Sequence, residues 1–426
     1  MLIEFNVTNY LSIREQTTLS LVKAKAQELE STNTFDSKAP ATPELLRSSV
    51  LYGANAAGKS NFIKALKLMK QLVLSSASES QAGDRIPTTP FLLDEKSHNQ
   101  PSEFEVTFVS QGVRYQYGFA VTQERVMEEW LLAYPKGRPQ KWIERVYDTN
   151  SKTYAWGTMD KLSGKKQTWQ DATRANALFL STAIQLNNQQ LIPVFKWFSS
   201  TLRVAGIGIW SPGYSMELCE NPETKNTIVE FLKTADLDID DIELKKEKFD
   251  KNILPKDMPS EIMNKIEEDL KDKPMFSIKT IHSLSNGKNV LFDMKNESDG
   301  TQKIFALAGP WIDTLKKGYV LIIDELNDNL HPLMVRFLVE MFHCTKTNPN
   351  NAQLIFTTHD TSILNQEVFR RDQIWFSEKD KNQSSKLYPL TDFSPRKGVE
   401  SLERGYLSGR YGALPYLKTL KKAMEC

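Results

Sequence analysis

Alternating apolar and polar residues characterise the first third of the chain, and this pattern predicts β-strands. Two short runs, Leu2–Val7 and Thr17–Val22, are separated by polar residues and predict a β-hairpin. Ser49–Tyr52 is a short strand-like run that leads into a Gly-containing turn. Three later runs predict a small antiparallel region: Phe104–Val109, Tyr115–Val121 and Trp130–Tyr134.

Apolar residues at helical spacing alternate with short apolar runs in much of the remaining chain. Helices are predicted at 60–75, 172–200, Thr301–Leu315 and Leu333–His343. Strands are predicted at Phe276–His282, Asn289–Phe292, Tyr319–Ile323, Gln353–Thr357 and Gln373–Phe376. This order favours an α/β fold with a mostly parallel sheet core, to which the antiparallel β subdomain is added.

The segment 220–275 interrupts this pattern because it is densely charged, which is typical of a solvated face or a lid. The sequence therefore predicts four parts. Residues 1–219 form the N-terminal part of the fold with its β-rich insertion, and 220–275 form an inserted lid. Residues 276–393 form the C-terminal part of the fold, and 394–426 form a C-terminal extension.

The extension contains LERGYLSGRYGALPYL, from Leu402 to Leu417. Its Tyr406, Arg410, Tyr411 and Tyr416 are residue types that are enriched at interfaces and also fill the edges of cores. Two hypotheses follow. Either the segment folds back and packs on the rest of the protein, or it contacts a subunit or an effector.

The composition of the chain restricts the classes of function that it can have. Hydrophobic residues make up 40% of the 426 residues and charged residues 25%, as in ordinary globular proteins. Lys and Arg total 54 against 53 Asp and Glu, so nucleic-acid binding would need a local basic patch. Cys219, Cys344 and Cys426 lack zinc-ligand spacing and are too far apart to suggest a disulfide framework. With no signal-peptide pattern and only short apolar runs, the sequence predicts a cytoplasmic protein without membrane contact.

The strongest chemical motif is GANAAGKS, from Gly53 to Ser60, which matches G-x-x-x-x-G-K-[ST] at every fixed position. Its glycines let the backbone curl so that successive N–H groups point at phosphate oxygens, and the following helix adds its positive N-terminus. Lys59 would reach the β- and γ-phosphates, and the Ser60 hydroxyl would bind Mg²⁺.

A second motif is YVLIIDEL, in which a buried strand ends in two carboxylates. Ligands of parallel sheets bind at the carboxyl ends of the strands, so this position suits a nucleotide site. Asp324 would hold the Mg²⁺ shell, and Glu325 would act as the general base for the attacking water. Because the motif lies far from Lys59 in sequence, other structure must be inserted between the two halves of the site.

Three weaker motifs occur in a fixed order around the second one. ESDGTQK opens a helix, where Ser298 and Gly300 could bind an anion or Ser298 could simply cap the helix. LNDNLHP contains Asp328, and LIFTTHD is a strand that ends near His359. A histidine after a strand is usually structural when it stands alone, but its place in this series favours contact with a γ-phosphate.

Together the five motifs resemble an ABC-type ATPase head of the SMC/RecF/OLD branch. More narrowly, they resemble the stand-alone bacterial AAA-domain ATPases of the abortive-infection and RloA type. The opening FNVTNYLSIREQTTLSL resembles the hairpin that begins such heads, which implies that Asn9, Ser12 and Arg14 lie near the nucleotide. The narrower resemblance is carried by SVLYGANAAGKSN, ESDGTQKIFAL, DELNDNLHP, TTHDTSIL, QIWFSEKD and LERGYLSGRYGALPYL.

The resemblance implies ATP and Mg²⁺ as cofactors and ATP hydrolysis as the activity. The catalytic residues would be Lys59, Glu325 and His359, and the metal ligands Ser60 and Asp324. Gln167 and Gln185 are the candidates for the family's Mg²⁺-sensing glutamine, and neither has a clear place. The nucleotide-binding residues would be Gly53, Ala54, Asn55, Ala56, Ala57, Gly58, Lys59, Ser60, Asn61, Arg14, Ser298, Gly300 and Asp328.

The resemblance also implies a head-to-head dimer or a higher oligomer. Each ATP would lie between the Gly53–Ser60 loop of one subunit and the Ser298–Gly300 segment of the other. Such heads act in defence against phages as sensors or gates, often beside an effector such as a nuclease or toxin. The alternative is a RecF-like repair ATPase that binds DNA directly, for which nucleic-acid contact is possible. A transporter subunit and a nuclease within this chain fit the sequence less well.

Overall fold

The computed structural model describes residues 1–205, 212–235, 238–247, 258–270, 275–396 and 400–415. The chain divides into two compact units. The first comprises Met1–Ile207, Leu315–Asp328 and Val335–Cys426, and the second comprises Gly208–Thr314 and Asn329–Met334. The domain boundaries given above at residues 219, 275 and 393 stay predictions.

The described chain contains both strands and helices. The strands are β1 (Leu2–Thr8), β2 (Thr17–Ser20), β3 (Thr34–Phe35), β4 (Leu45–Leu46), β5 (Ser48–Tyr52), β6 (Ser102–Ser110), β7 (Val113–Val121), β8 (Val126–Tyr134), β9 (Gln140–Asp148), β10 (Thr153–Trp156), β11 (Leu202–Ala205), β12 (Asp241–Glu247), β13 (Met275–Ser283), β14 (Asn289–Asp293), β15 (Val320–Ile323), β16 (Gln353–Thr357), β17 (Ile374–Lys379) and β18 (Ser385–Pro389). The helices are α1 (Glu30–Asn33), α2 (Lys59–Ser75), α3 (Glu95–His98), α4 (Lys166–Ala172), α5 (Phe179–Gln185), α6 (Ile192–Lys196), α7 (Gly213–Leu218), α8 (Pro222–Thr234), α9 (Ser260–Leu270), α10 (Asp299–Lys317), α11 (Pro332–His343) and α12 (Leu402–Leu407).

The central sheet of the first unit has the strand order β11-β15-β16-β5-β17-β18. Neighbouring strands of this sheet are parallel from β11 to β17, and only β18 runs antiparallel to its neighbour, β17. Strands β5, β15 and β16 are buried at every position, as expected for a parallel sheet covered on both faces. This topology brings the carboxyl ends of β5, β15 and β16 to one edge, although the chain between β5 and β15 is long.

The other large sheet of the first unit is antiparallel, with the order β10-β9-β8-β7-β6-β1-β2. The predicted hairpin is confirmed, because β1 pairs with β2 from Glu4↔Ser20 to Val7↔Thr17. Helix α2 packs between the sheets, and its Phe62 ring lies 5.3 Å from the Phe5 ring of β1. The predicted fold class, α/β with a mostly parallel sheet and an antiparallel β subdomain, is therefore confirmed.

The helical segment predicted over 172–200 is helical in part and is divided into shorter pieces. The segment contains α5, α6 and a π-helical turn at Trp197–Thr201, with irregular chain between them. Buried polar groups set these breaks: the Glu129 carboxylate accepts hydrogen bonds from the N–H groups of Phe179 and Leu180, where α5 begins. Asn188 accepts one from Leu191 N at 2.9 Å. Apolar spacing alone does not reveal such caps.

The second unit contains an antiparallel sheet of order β12-β13-β14 and helices α7 to α9 with most of α10. Part of the charged segment 220–275 is thus regular structure. Asn221 accepts hydrogen bonds from the N–H groups of Glu223 and Thr224, which caps α8, and Pro222 occupies its first turn. Helix α10 packs closely on α7, since a Cβ on Gly309 would lie 2.7 Å from Ser215 Oγ. In the part of the chain that is described, no helix is long and apolar enough to cross a membrane.

Candidate nucleotide-binding site

The loop between β5 and α2 has a backbone that only glycine can adopt at two positions. Gly53 has φ +155° and Gly58 has φ +110°. A Cβ on Gly53 would lie 2.3 Å from the carbonyl oxygen of Ser377, and one on Gly58 would lie 2.1 Å from Ser385 Oγ. Both glycines are therefore required by backbone conformation and by close contact with the β17–β18 hairpin.

Lys59 is buried at the start of α2 and points back across the loop. Its Nζ donates to the carbonyl oxygens of Gly53 at 2.7 Å and Ala54 at 3.2 Å. Burial lowers the pKa of Lys59 to about 8, and the nearby carboxylates of Asp324 and Glu325 partly oppose that change. These carbonyl contacts hold the ammonium group beside the loop, where it can face a phosphate chain.

A cavity of about 430 Å³ opens above this loop. Helix α2 has 17 residues and no side-chain cap at its N-terminus, so its first N–H groups face the loop region without a side-chain acceptor. Such a helix end favours anions. The cavity is lined by Ser12, Ala54, Asn55, Ala56, Ala57, Gly58, Lys59, Ser60, Asn61, Glu325, His359 and Lys379.

Asp324 and Glu325 follow β15, and Thr357 of β16 holds both of them. The Thr357 hydroxyl donates to Asp324 Oδ1 at 2.7 Å and accepts from the N–H group of Glu325 at 2.7 Å. Glu325 has a left-handed backbone with φ 56°, which is unfavourable for a residue with a side chain. This backbone turn directs the chain so that Asp324 stays buried while Glu325 lines the cavity.

His359 completes this side of the cavity. Its Nε2 lies 3.5 Å from Lys59 Nζ and 3.9 Å from Glu325 Oε1. Burial, followed by the charge of Lys59, lowers the pKa of His359, so the neutral imidazole is favoured. Asn327 Oδ1 accepts hydrogen bonds from Thr358 Oγ1 at 2.9 Å and from the N–H group of His359 at 3.3 Å, which fixes the loop that carries the histidine.

Several of the predicted site residues do not line this cavity. The Arg14 guanidinium pairs with Glu15 at 3.0 Å, and the Asn9 amide bonds to backbone carbonyls near Ser97. Asp328 is half-buried in the turn after β15, with its N–H group donating to Glu325 O. Gln167 bonds to Asp171, and Gln185 is exposed at the end of α5, so neither glutamine reaches the cavity.

Ser298 and Gly300 lie in the second unit, at the start of α10. Ser298 Oγ accepts a hydrogen bond from the N–H group of Thr301 at 3.1 Å and contacts its hydroxyl at 2.8 Å. A Cβ on Gly300 would lie 3.5 Å from the carbonyl oxygen of Asn329 and 3.8 Å from Ser298 Oγ, which are ordinary van der Waals contacts. Ser298 is thus a helix cap, and the N-terminus of α10 can still take part in binding an anion.

Sequence reasoning missed four residues of this region: Thr357, Asn327, Ser385 and Lys379. The only signal for Thr357 was weak: it is a polar residue at the end of an apolar strand. Lys379 lies in the QIWFSEKD run that carries the narrower resemblance, but that run indicates no phosphate contact, and Ser385 gave no signal, because only the folded sheet places β17 and β18 against the loop. Ser385 Oγ donates to Ser12 Oγ at 2.8 Å, and Asn61 Nδ2 donates to the same oxygen at 2.8 Å.

The chemistry of the residues present also fits a magnesium ion, which Ser60 and Asp324 would hold. The Ser60 hydroxyl lines the cavity, and the Asp324 carboxylate lies close enough to Lys59 to influence its pKa. Both are hard oxygen ligands of the kind that Mg²⁺ prefers, and Mg²⁺ usually binds through few protein ligands and several phosphate or water oxygens. The described residues contain no cluster of three or more His, Cys, Asp or Glu that could hold a metal by itself.

The chain was compared with protein families, curated proteins and solved structures. Residues 48–365 match the family described as "AAA domain, putative AbiEii toxin, Type IV TA system". None of the curated proteins matches the chain significantly.

Among solved structures, the chain is similar to the SMC head domain from Thermotoga maritima, with 13% identity, TM-score 0.41, and coverage of 91% of this chain and 98% of that chain. It is also similar to an SMC head bound to the C-terminal winged-helix domain of ScpA, with 13% identity, TM-score 0.45, and coverage of 91% and 97%. A third similar structure is the recombination mediator protein RecF-ATPrS in the RecFOR pathway, with 12% identity, TM-score 0.34, and coverage of 91% and 98%.

Proposed function

The chain belongs to the AAA-domain family that its residues 48–365 match, and on this premise we propose that it binds ATP in the loop cavity and hydrolyses it to ADP and phosphate. The family match confirms the predicted relation to bacterial AAA-domain ATPases. The observation that carries the proposal is the convergence of Lys59, Glu325 and His359 on one cavity at the N-terminus of α2. These residues come from three separate parts of the sequence, and a shared phosphate ligand explains why they meet.

In the proposed reaction, the N–H groups of the loop bind the phosphate chain and Lys59 faces the β- and γ-phosphates. Glu325 accepts a proton from the attacking water, and the neutral His359 orients the γ-phosphate. Ser60 and Asp324 would hold Mg²⁺, which when bound neutralises charge on the phosphates. Thr357 keeps Asp324 and Glu325 in their different positions.

The proposed active form is a head-to-head dimer. Ser298 and Gly300 would bind the γ-phosphate of the other subunit's nucleotide through the N-terminus of α10, a 19-residue helix. This role is supported by the position of Gly300 at the start of α10, where an added Cβ would make only ordinary van der Waals contacts. Asp328 would act at the same subunit contact.

The biological role that we propose is ATP-gated control of a cytoplasmic partner effector, such as a nuclease or toxin, in defence against phages. The family description supports this role because it names a toxin and a type IV toxin–antitoxin system. ATP binding would close the dimer and hydrolysis would open it, so the nucleotide state would be communicated to the partner.

The test uses Glu325→Gln, which keeps the shape of the base but cannot accept the proton. We expect this variant to bind ATP, to lose hydrolysis by at least about 100-fold, and to accumulate as a dimer with ATP and Mg²⁺. Light scattering coupled to size-exclusion chromatography measures the dimer, and phosphate release measures hydrolysis. Hydrolysis by Glu325→Gln at the wild-type rate would contradict the assignment of the base.

Two further variants separate the parts of the proposal. Lys59→Ala should neither bind ATP tightly nor dimerise. Adding Gly300→Arg to Glu325→Gln should preserve ATP binding and abolish the ATP-dependent dimer, since the bulky side chain fills the space beside α10. A double variant that dimerises normally would exclude the proposed role of Gly300.

A further inference from the structure

The β17–β18 hairpin supports the phosphate-binding loop from one side. Ser377 Oγ of β17 donates to the carbonyl oxygen of Ala57 at 3.1 Å, and its own carbonyl lies against Gly53. Ser385 of β18 lies against Gly58, and its N–H group donates to the carbonyl oxygen of Ser12 at 2.7 Å. The hairpin is therefore held in a fixed position beside the loop.

Strand geometry then places Lys379 over the same cavity. Side chains two residues apart on a strand point to the same side, and Lys379 lies two residues beyond Ser377. Lys379 is also the register partner of Ser385. It is exposed to solvent and lines the cavity together with Lys59 and the loop.

The Lys379 ammonium group is available for a ligand. Within the described residues, Lys379 forms no ion pair, whereas Lys386 on the same hairpin lies 3.9 Å from Asp380. The Asp380 carboxylate is itself occupied by the N–H groups of Asn382 and Ser384. A cation that lines a phosphate-sized cavity and has no ion-pair partner in the protein is a candidate for a charge-assisted contact with phosphate.

The neighbours of Lys379 indicate which part of the phosphate chain it would contact. Ser12, Asn61 and Ser385 form one hydrogen-bonded cluster beside Lys379. His359 and Glu325 lie near each other on the γ-phosphate side of the proposed site. In this motif the loop N–H groups face the α- and β-phosphates. The Ser12–Asn61–Ser385 cluster borders the loop backbone, since a Cβ on Gly58 would lie 2.1 Å from Ser385 Oγ and 3.1 Å from Ser12 Oγ, so we assign the cluster to that side.

We propose that Lys379 is a second phosphate-binding cation of this site, outside the G-x-x-x-x-G-K-S motif, and that it contacts the α- or β-phosphate of the bound nucleotide. This inference rests on the proposed ATPase function and deepens it, since it adds a residue from the C-terminal hairpin to the nucleotide contacts. A contact to the α- or β-phosphate is made equally with ATP and ADP. A contact to the γ-phosphate would be made with ATP alone.

The test compares Lys379→Met with Lys381→Met, a matched control on the same hairpin that does not line the cavity. Methionine keeps an unbranched apolar stem and removes the charge. Calorimetric titration with ADP and with a non-hydrolysable ATP analogue should give a Kd about tenfold weaker for both ligands in Lys379→Met, as expected for one lost charge-assisted contact. Lys379→Arg should stay within about threefold of the wild type, and Lys381→Met should not differ from it.

Each outcome decides the proposal. Equal losses for both nucleotides in Lys379→Met, with an unchanged melting temperature without nucleotide, support it. A loss confined to the ATP analogue, or Kd values within twofold of the wild type for both ligands, overturns it and leaves the proposed function standing. If the wild-type protein binds neither nucleotide, the proposed function itself fails, and this result is distinct from the other two.

Discussion

Thr357 contacts both acidic residues of the candidate site through one buried hydroxyl group, which meets the carboxylate of Asp324 and the backbone of Glu325. The hydroxyl donates a hydrogen bond to Asp324 and accepts one from the N–H group of Glu325. The backbone of Glu325 has an unfavourable positive φ. Strained backbones at such sites persist only where neighbouring groups hold them in place. We infer that Thr357 is a positioning residue for Glu325, the proposed general base.

Replacing Thr357 with Val should therefore reduce kcat by about 10- to 100-fold, because a buried donor and acceptor lose their partner at a cost of about 1–3 kcal/mol. Nucleotide Kd should change less than about threefold, since the loop and Lys59 are untouched. Steady-state phosphate release and calorimetric titration measure the two quantities. Thr357→Ser keeps the hydroxyl and should retain most of the wild-type kcat, while an unchanged kcat in Thr357→Val would show that the hydroxyl has no role.

Among the elements, the described part of the C-terminal segment packs on β17. Tyr411 is fully buried, and its ring stacks on Phe376 with centroids 5.6 Å apart. Tyr406 also stacks on Phe376, at 5.4 Å, and its hydroxyl donates to Ala413 O. The packing hypothesis is therefore confirmed for these two tyrosines, whereas Tyr416 lies outside the described residues. Strand β17 carries Ser377 and Lys379, so this packing also supports the side of the nucleotide site.

Truncating Tyr411 to Ala should destabilise the protein by about 3–5 kcal/mol, the usual effect of removing a large buried aromatic side chain. Urea unfolding measures the free energy of unfolding. Arg410→Ala is the control from the same segment, because the Arg410 side chain is half-exposed and the loss of its ion pair with Glu400 should cost less than about 1 kcal/mol. Equal stability of Tyr411→Ala and Arg410→Ala would contradict the packing role.

At the scale of the whole molecule, His343 joins parts of the first unit that are distant in sequence. This buried histidine of α11 lies 2.8 Å from Ser48 Oγ of β5, and Gln373 Nε2 donates to the same hydroxyl at 2.8 Å. Burial, followed by the charge of Arg47, lowers the pKa of His343 to about 3. The folded protein therefore keeps this imidazole neutral at a pH at which the unfolded chain, with an ordinary pKa near 6.5, is protonated.

Because the unfolded state binds the proton and the folded state does not, stability should fall as the pH falls from about 6.5 to about 3. One such group changes the free energy of unfolding by at most about 1.4 kcal/mol per pH unit in that window and leaves it unchanged above. Urea unfolding at several pH values measures this slope. His343→Gln should flatten it, whereas His98→Gln, at an exposed position, should leave it unaltered. An equal slope in His343→Gln and the wild type would exclude this histidine as its source.

Much of the site could be predicted from the sequence. The loop needs glycine at positions 53 and 58, a lysine and a hydroxyl at fixed spacing, and a strand before and a helix after, all of which are local requirements. The strands at 353–357 and 319–323 were predicted from their apolar runs because parallel strands are buried on both faces. The family relation followed from the order of these local motifs along the chain.

Only the tertiary structure decided which residues from elsewhere complete the site. Lys379 and Ser385 face the loop because β17 and β18 pair beside β5, and Thr357 meets Glu325 because β16 pairs with β15. The breaks within 172–200 likewise depend on the carboxylate of Glu129, about 50 residues earlier in the chain. The sequence by itself determines local conformation and residue chemistry, since backbone sterics and hydrophobic periodicity act over a few residues. Contacts between distant segments depend on strand order and register, which arise only when the sheets assemble.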